Sequence, residues 1–231
     1  MNIIKYKKMK INFNKILWKY FLSADCLNKY LRLNGQAKLN SFFILRMLKG
    51  SPLKSKSNML VHGAGTGQLF SNIEILKELR KYNLTFADIN LKYLEKLNEF
   101  MNHKHTNYKI KIDDLENTHL KEIFDGVLLV LLLQHLNWEK AINNIIKFNK
   151  PSKIYIIIQE KDDINIKIKL PSKIKFFKLF AISKLVQKRR LIKYLSTKKY
   201  TLIDEHTEFT SEKKKFTSLI FHKLNLAKNY S

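Results

Sequence analysis

Between Asn58 and Glu160 the chain alternates strand-like runs with amphipathic helical stretches, and this rhythm restricts the fold more than any other feature. The runs "NMLVH", "LTFADI", "YKIKI", "FDGVLLVLLL" and "KIYIIIQE" read as strands, with helical periodicity over about 67–81, 91–102 and 138–149. Parallel neighbours can be joined only by a crossover, so repeated β-α units of this kind imply a parallel sheet with helices on its faces. The rhythm changes at 161–183, a basic and apolar insertion. A helix is predicted over about 184–197. "YTLIDEHTEF" and "KFTSLIFHKL", separated by "TSEKKK", then suit an antiparallel hairpin at the end of the sheet. Upstream, residues 10–48 carry apolar positions at helical spacing, interrupted near Asn34–Gly35, and "KGSPLKSKS" forms a polar joint. With 231 residues this is one domain, residues 50–231, preceded by a helical extension over 1–49.

Composition narrows the setting. Apolar residues make up 45%, with only six glycines and three prolines, so the chain can bury a core. Cys26 is the single cysteine, which excludes a disulfide framework and a thiolate zinc site and points to a reducing, cytoplasmic compartment. The apolar run Gly126–Leu133 is too short to span a bilayer. The net charge of +25 suggests nucleic acid, a membrane surface or an acidic protein partner. Only five of the basic residues are arginine, however, and a Lys/Asn/Ile excess also follows from compositional bias.

The turn after the first strand, "VHGAGTG" (Val61–Gly67), is where an open α/β sheet binds ligands. Gly63, Gly65 and Gly67 would allow a tight turn and close backbone approach to an anionic group at a helix N-terminus. A dinucleotide fingerprint would need glycine at Gln68, and a phosphate-binding P-loop would need Lys followed by Ser or Thr at its end. The spacing here is GxGxG. The second strand ends in Asp88, placed to take both hydroxyls of a ribose.

In order along the chain, "VHGAGTG", "FADIN", "KIDDLEN", "FDGVLLVLLLQHLN" and "KPSKIYIIIQE" resemble the motifs of the class I methyltransferases that use S-adenosylmethionine. The resemblance implies a Rossmann-like, seven-stranded, mostly parallel sheet with an antiparallel last strand and helices on both faces. It also implies S-adenosyl-L-methionine as cofactor, its methionine end in the Gly63, Gly65 and Gly67 loop, its ribose on Asp88 and its adenine against Ile89 and Leu115. Asp114 would accept the adenine amino group, with Asp113 one register step away as the alternative. Gln134 would orient the cofactor. His135 is either a general base or a structural histidine. The family carries an acid where Val61 stands, a loss of about 1.5–3 kcal/mol toward the cofactor's ammonium unless replaced. His62 is a candidate replacement or a strand-end histidine. Leu129, Val130 and Leu131 imply an apolar wall beside the methyl group.

The insertion 161–183 falls where the family builds its acceptor lid, and Phe176, Phe177 and Phe180 alternate there with Lys173, Lys175 and Lys178. The spacing from Phe13 to Gln36 and "IDDLEN" resemble the malonyl-carrier-protein carboxyl methyltransferases, which act on an acidic carrier. The expected activity is methyl transfer to a small-molecule or carrier-bound acceptor. The alternatives are an RNA methyltransferase, suggested by the charge, and a non-catalytic binding subunit, suggested by Val61.

Overall fold

The computed structural model describes residues 13–33, 35–104, 107–160, 185–210 and 214–224. The expected insertion at 161–183 therefore lies outside the described residues. Seven strands form one sheet: β1 (Asn58–His62), β2 (Asn83–Asp88), β3 (Tyr108–Ile112), β4 (Gly126–Val130), β5 (Lys153–Gln159), β6 (Tyr200–Phe209) and β7 (Lys215–Lys223). Their spatial order is β3-β2-β1-β4-β5-β7-β6. Strands β1 to β5 pair in parallel, and β7 runs antiparallel to both β5 and β6. This is the mostly parallel seven-stranded fold expected from the sequence.

The order reverses between β1 and β4, so the loops leaving those two strands diverge and open a crevice at their carboxyl ends. The helices are α1 (Phe13–Ile16), α2 (Ala24–Leu33), α3 (Gln36–Gly50), α4 (Ile73–Leu79), α5 (Leu91–Met101), α6 (Trp138–Asn144) and α7 (Lys188–Thr197). Asn72, Asn90 and Asn137 cap α4, α5 and α6 by accepting backbone N–H bonds from Glu74, Tyr93 and Lys140. The helices expected over 67–81 and 138–149 are each divided. A short 3-10 turn at Gln68–Phe70 precedes α4, and α6 ends in a π-turn over Ile145–Asn149.

Two apolar layers enclose the sheet. Met59 and Val61 point to one side with Phe43, Ile44 and Met47 of α3 and Phe70, while Leu60 points to the other with Val127, Leu129, Ile142 and Leu191. The period of two along β1 thus decides which residues reach the site. Asn149, at the end of the π-turn, is buried and donates from Nδ2 to the carbonyls of Leu120 (3.1 Å) and Glu122 (3.0 Å), fastening the loop before β4. Asn149→Ala should lower stability by about 2 kcal/mol, read as a lower urea midpoint at unchanged slope.

Candidate functional site

The chain leaves β1 through three left-handed glycines, with φ of 71° at Gly63, 59° at Gly65 and 80° at Gly67. A Cβ at Gly63 would lie 2.9 Å from Leu132 Cδ1, and one at Gly67 would lie 3.2 Å from Phe100 Cδ1. A Cβ at Gly65 would meet nothing within 4 Å. Positive φ favours glycine at all three positions, neighbouring side chains crowd the first and third, and the middle one faces open space.

Asp88 locks this loop. Its Oδ2 accepts from the Gly65 amide at 3.0 Å and its Oδ1 from the Asn90 amide at 2.9 Å. Burial pushes the Asp88 carboxyl up, against the pull of those amides. The Ile89 amide also acts on this carboxylate, so of its about four lone-pair positions at least one remains for a hydroxyl donor. Ile89, next in the chain, lines the same cavity.

His62 faces the opposite side from Val61. It pairs with Ala87 of β2 in the sheet register, and its Nε2 lies 2.9 Å from Asp113 Oδ2, just beyond β3. Asp113 Oδ1 also accepts from the His119 amide at 2.9 Å. Burial acts to raise the Asp113 carboxyl, but bonds from His62, Thr118 and His119 outweigh it and hold it below the usual range. Asp113 is therefore committed to the protein. Asp114 is more open, with 22% of its side chain exposed against 1% for Asp113. It caps the 3-10 turn Leu115–Asn117 and forms an ion pair with Lys15 of α1. Burial raises its carboxyl, yet Lys15 and Asn117 bring it below the usual range.

The expected apolar wall is corrected at one position. Leu129 lies in the core beside Leu60 and Ile156, and only Val130 and Leu131 reach the cavity. Leu131 adopts φ 52°, turning the chain out of β4 so that Leu132 covers Gly63. Gln134 and His135 follow in a 3-10 turn, with Gln134 Nε2 at 3.3 Å from His135 Nε2. The Trp18 ring sits on His135, centroids 4.7 Å apart. Burial lowers the His135 imidazole from 6.5 to about 4, so it stays neutral at physiological pH.

These groups surround one cavity of about 410 Å³, within the usual range for small-molecule sites. Four buried side-chain atoms without hydrogen-bond partners belong to residues that line it: Asn40 Oδ1, His62 Nδ1, Gln68 Oε1 and Gln134 Oε1. Buried polar atoms are rarely left unpaired, so orphans gathered at one cavity mark a polar ligand. The expected residues His62, Gly63, Gly65, Asp88, Ile89, Asp114, Leu115, Gln134 and His135 all line it, as does Asp113. Gly67 does not; it packs behind the loop on Phe100 and Leu97. Sequence reasoning missed Lys15, Trp18, Gln36, Asn40 and Gln68, which also line the cavity. A signal existed in α3, where Gln36 and Asn40 stand on the same face as the buried Phe43, Ile44 and Met47, two polar residues on an apolar stripe. Among the described residues, no group of His, Cys, Asp or Glu could hold a metal ion.

Residues 60–157 match a family described as a methyltransferase domain. No curated protein matches the sequence. The fold is similar to that of magnesium protoporphyrin IX methyltransferase (ChlM) from Synechocystis PCC 6803 with bound S-adenosylmethionine, at 12% identity and a TM-score of 0.67, covering 91% of this chain and 97% of that one. It is also similar to the N-methyltransferase NodS from Bradyrhizobium japonicum WM9 in complex with S-adenosyl-L-homocysteine, at 14% identity and 0.60, covering 82% and 88%. The [4+2]-cyclase SpnF is similar at 11% identity and 0.62, covering 81% and 80%. At these identities the likeness is one of fold, and it spans proteins named for different reactions.

The buried neutral His135 carries a pH signature. Its folded pKa lies below its unfolded value, so the unfolded chain binds more protons between about 6.5 and 4, and stability falls as pH drops through that window. His135→Phe should remove about 2 kcal/mol of that loss, measured as a smaller shift in denaturation midpoint between pH 7 and pH 5.

Proposed function

We propose that this chain is a class I S-adenosylmethionine-dependent methyltransferase, a reading supported by the methyltransferase-domain match over residues 60–157, and that its acceptor is a small molecule or a group presented on a carrier. The observation that carries this reading is the cover over the cavity. Trp18 lies on His135, the Trp18 carbonyl accepts from Asn90 Nδ2 at 2.8 Å, and the Leu22 carbonyl accepts from Tyr93 Oη at 2.9 Å. Of the extension proposed over residues 1–49, the described residues from Trp18 onward would thus act as a roof on a catalytic domain proposed over residues 50–231. A roofed pocket suits a compact acceptor or a flexible arm better than a folded polynucleotide. The +25 charge is compatible with an acidic carrier. The same reading keeps the protein in the cytoplasm, where its single cysteine would stay reduced.

Bound in the cavity, S-adenosylmethionine would supply an electrophilic methyl group on a sulfonium. The protein's own part is alignment and exclusion of water. The Gly63–Gly67 loop would hold the amino-acid end, and Asp88 would accept from the ribose through the lone-pair capacity its backbone amides leave free. Ile89 and Leu115 would flank the adenine. Asp114 fits the exocyclic amine better than Asp113 because its side chain is the more exposed of the pair, although Lys15, Asn117 and the Glu116 amide also hold its oxygens. Val130, Leu131 and Trp18 would keep water from the reacting atoms. Neutral His135 would offer Nε2 as a proton acceptor where the acceptor must lose one, but burial opposes its charged form, so a structural role as the partner of Trp18 stands beside that of a base.

A methyl-labelled cofactor, supplied with separated metabolite, carrier-protein and RNA fractions, should label the metabolite or carrier fraction. Label confined to RNA would contradict the proposal. Asp88→Ala should lower kcat/KM about a hundredfold or more, as expected for loss of a charged positioning contact.

A further inference from the structure

Val61 leaves the amino-acid end of the cofactor without the carboxylate that its ammonium would ordinarily meet. We infer that Asn40 Oδ1 and Gln68 Oε1, two neutral amide oxygens, take over recognition of that ammonium.

The inference rests on the cofactor reading above and on four features of this chain. First, Val61 points to the sheet face covered by α3, in one apolar cluster with Phe43, Ile44 and Met47. Asn40 is one turn earlier on that same helix face, so it enters the cavity from the side where a carboxylate at position 61 would stand. Second, Asn40 is 1% exposed, lines the cavity, and its Oδ1 has no partner. An orphaned carbonyl oxygen at that depth costs stability until a donor reaches it. Third, Gln68 directly follows the glycine loop and its amide orientation is set: Nε2 donates to the Asn28 carbonyl at 3.3 Å, which leaves Oε1 as the free acceptor. Fourth, the two elements are joined, because Ser41 Oγ donates to the Leu69 carbonyl at 3.0 Å, fastening α3 beside Gln68.

The remaining orphans do not compete for this role. His62 Nδ1 belongs to a ring anchored on Asp113, on the opposite face of β1, and Gln134 Oε1 lies beyond β4 beside His135. An ammonium has three donors, and two fixed carbonyl oxygens satisfy most of them without burying a second negative charge beside Asp88. Such a site recognises the amine by hydrogen-bond geometry more than by net charge.

Two ligands isolate the claim in calorimetry on the full chain: S-adenosylhomocysteine, and 5′-(3-carboxypropylthio)-5′-deoxyadenosine, the same molecule without its amine. Wild type should prefer S-adenosylhomocysteine by about tenfold, as one or two hydrogen bonds to a charged group require. Asn40→Leu should erase most of that preference while leaving the affinity for the amine-free ligand unchanged, which also shows that the variant is folded. Asn40→Asp, which keeps an oxygen in place, should retain the preference. Equal loss of both ligands in Asn40→Leu, or an undiminished preference, would overturn the inference. A wild-type protein that binds neither ligand would instead overturn the cofactor reading on which it stands.

Discussion

The Asp88 carboxylate is the joint on which the site depends. Its two oxygens hold the Gly65 amide of the loop after β1 and the Asn90 amide after β2, so two loops from neighbouring strands become one rigid edge. Asn90 extends the connection: it caps α5 and donates from Nδ2 to the Trp18 carbonyl, and Trp18 in turn lies on His135 beyond β4. A chain of contacts beginning at one buried acid thus spans the crevice from β2 to β4 and brings the N-terminal helices over it. Burying that acid is unfavourable, as its raised pKa records, and the backbone amides only partly offset the loss of water. Hydroxyl donors from a ligand would complete its coordination, so the group that organises this edge is also the one that gains most from a bound hydroxyl.

Charge is distributed with economy inside the cavity. Asp113 is enclosed between His62 and the His119 amide, and Asp114 is paired with Lys15. Asp88 is held instead by backbone amides. A further carboxylate at position 61 would put another charge into the same low-dielectric space. Neutral amides from Asn40 and Gln68 avoid that repulsion while still offering acceptors. The left-handed Leu131 shows a comparable local compromise, since the backbone conformation that turns the chain out of β4 also sets Leu132 against Gly63.

Much of this architecture was legible in the sequence because it rests on local periodicity. The β-α alternation and the final hairpin announced the seven strands, and the GxGxG spacing followed by Asp88 announced the crevice. The α4 and α6 boundaries were less legible, since a 3-10 turn and a π-turn interrupt them without breaking the apolar pattern. Sequence motifs could also identify Asp113 and Asp114 as candidates but could not separate them. Their difference comes from long-range partners, His62 on β1 and Lys15 on α1, at separations of 51 and about a hundred residues. For the same reason Trp18, Asn40 and Gln68 went unnoticed: each acquires meaning only when the helices before β1 fold back over the loop. Val61 looked like a defect in a motif, and in three dimensions it is a core residue beneath α3.

The central claim is that the space above Gly65 belongs to the cofactor, and titration of S-adenosylhomocysteine into wild type and Gly65→Asn tests it most directly. Asparagine is the side chain that best tolerates the left-handed φ of 59° at this position, and it would project into the cavity without meeting a protein atom near its Cβ. The account requires one site per chain in wild type and at least a tenfold loss of affinity in the variant, with its thermal transition still cooperative. Equal affinity in the two folded proteins would place the ligand elsewhere and contradict it.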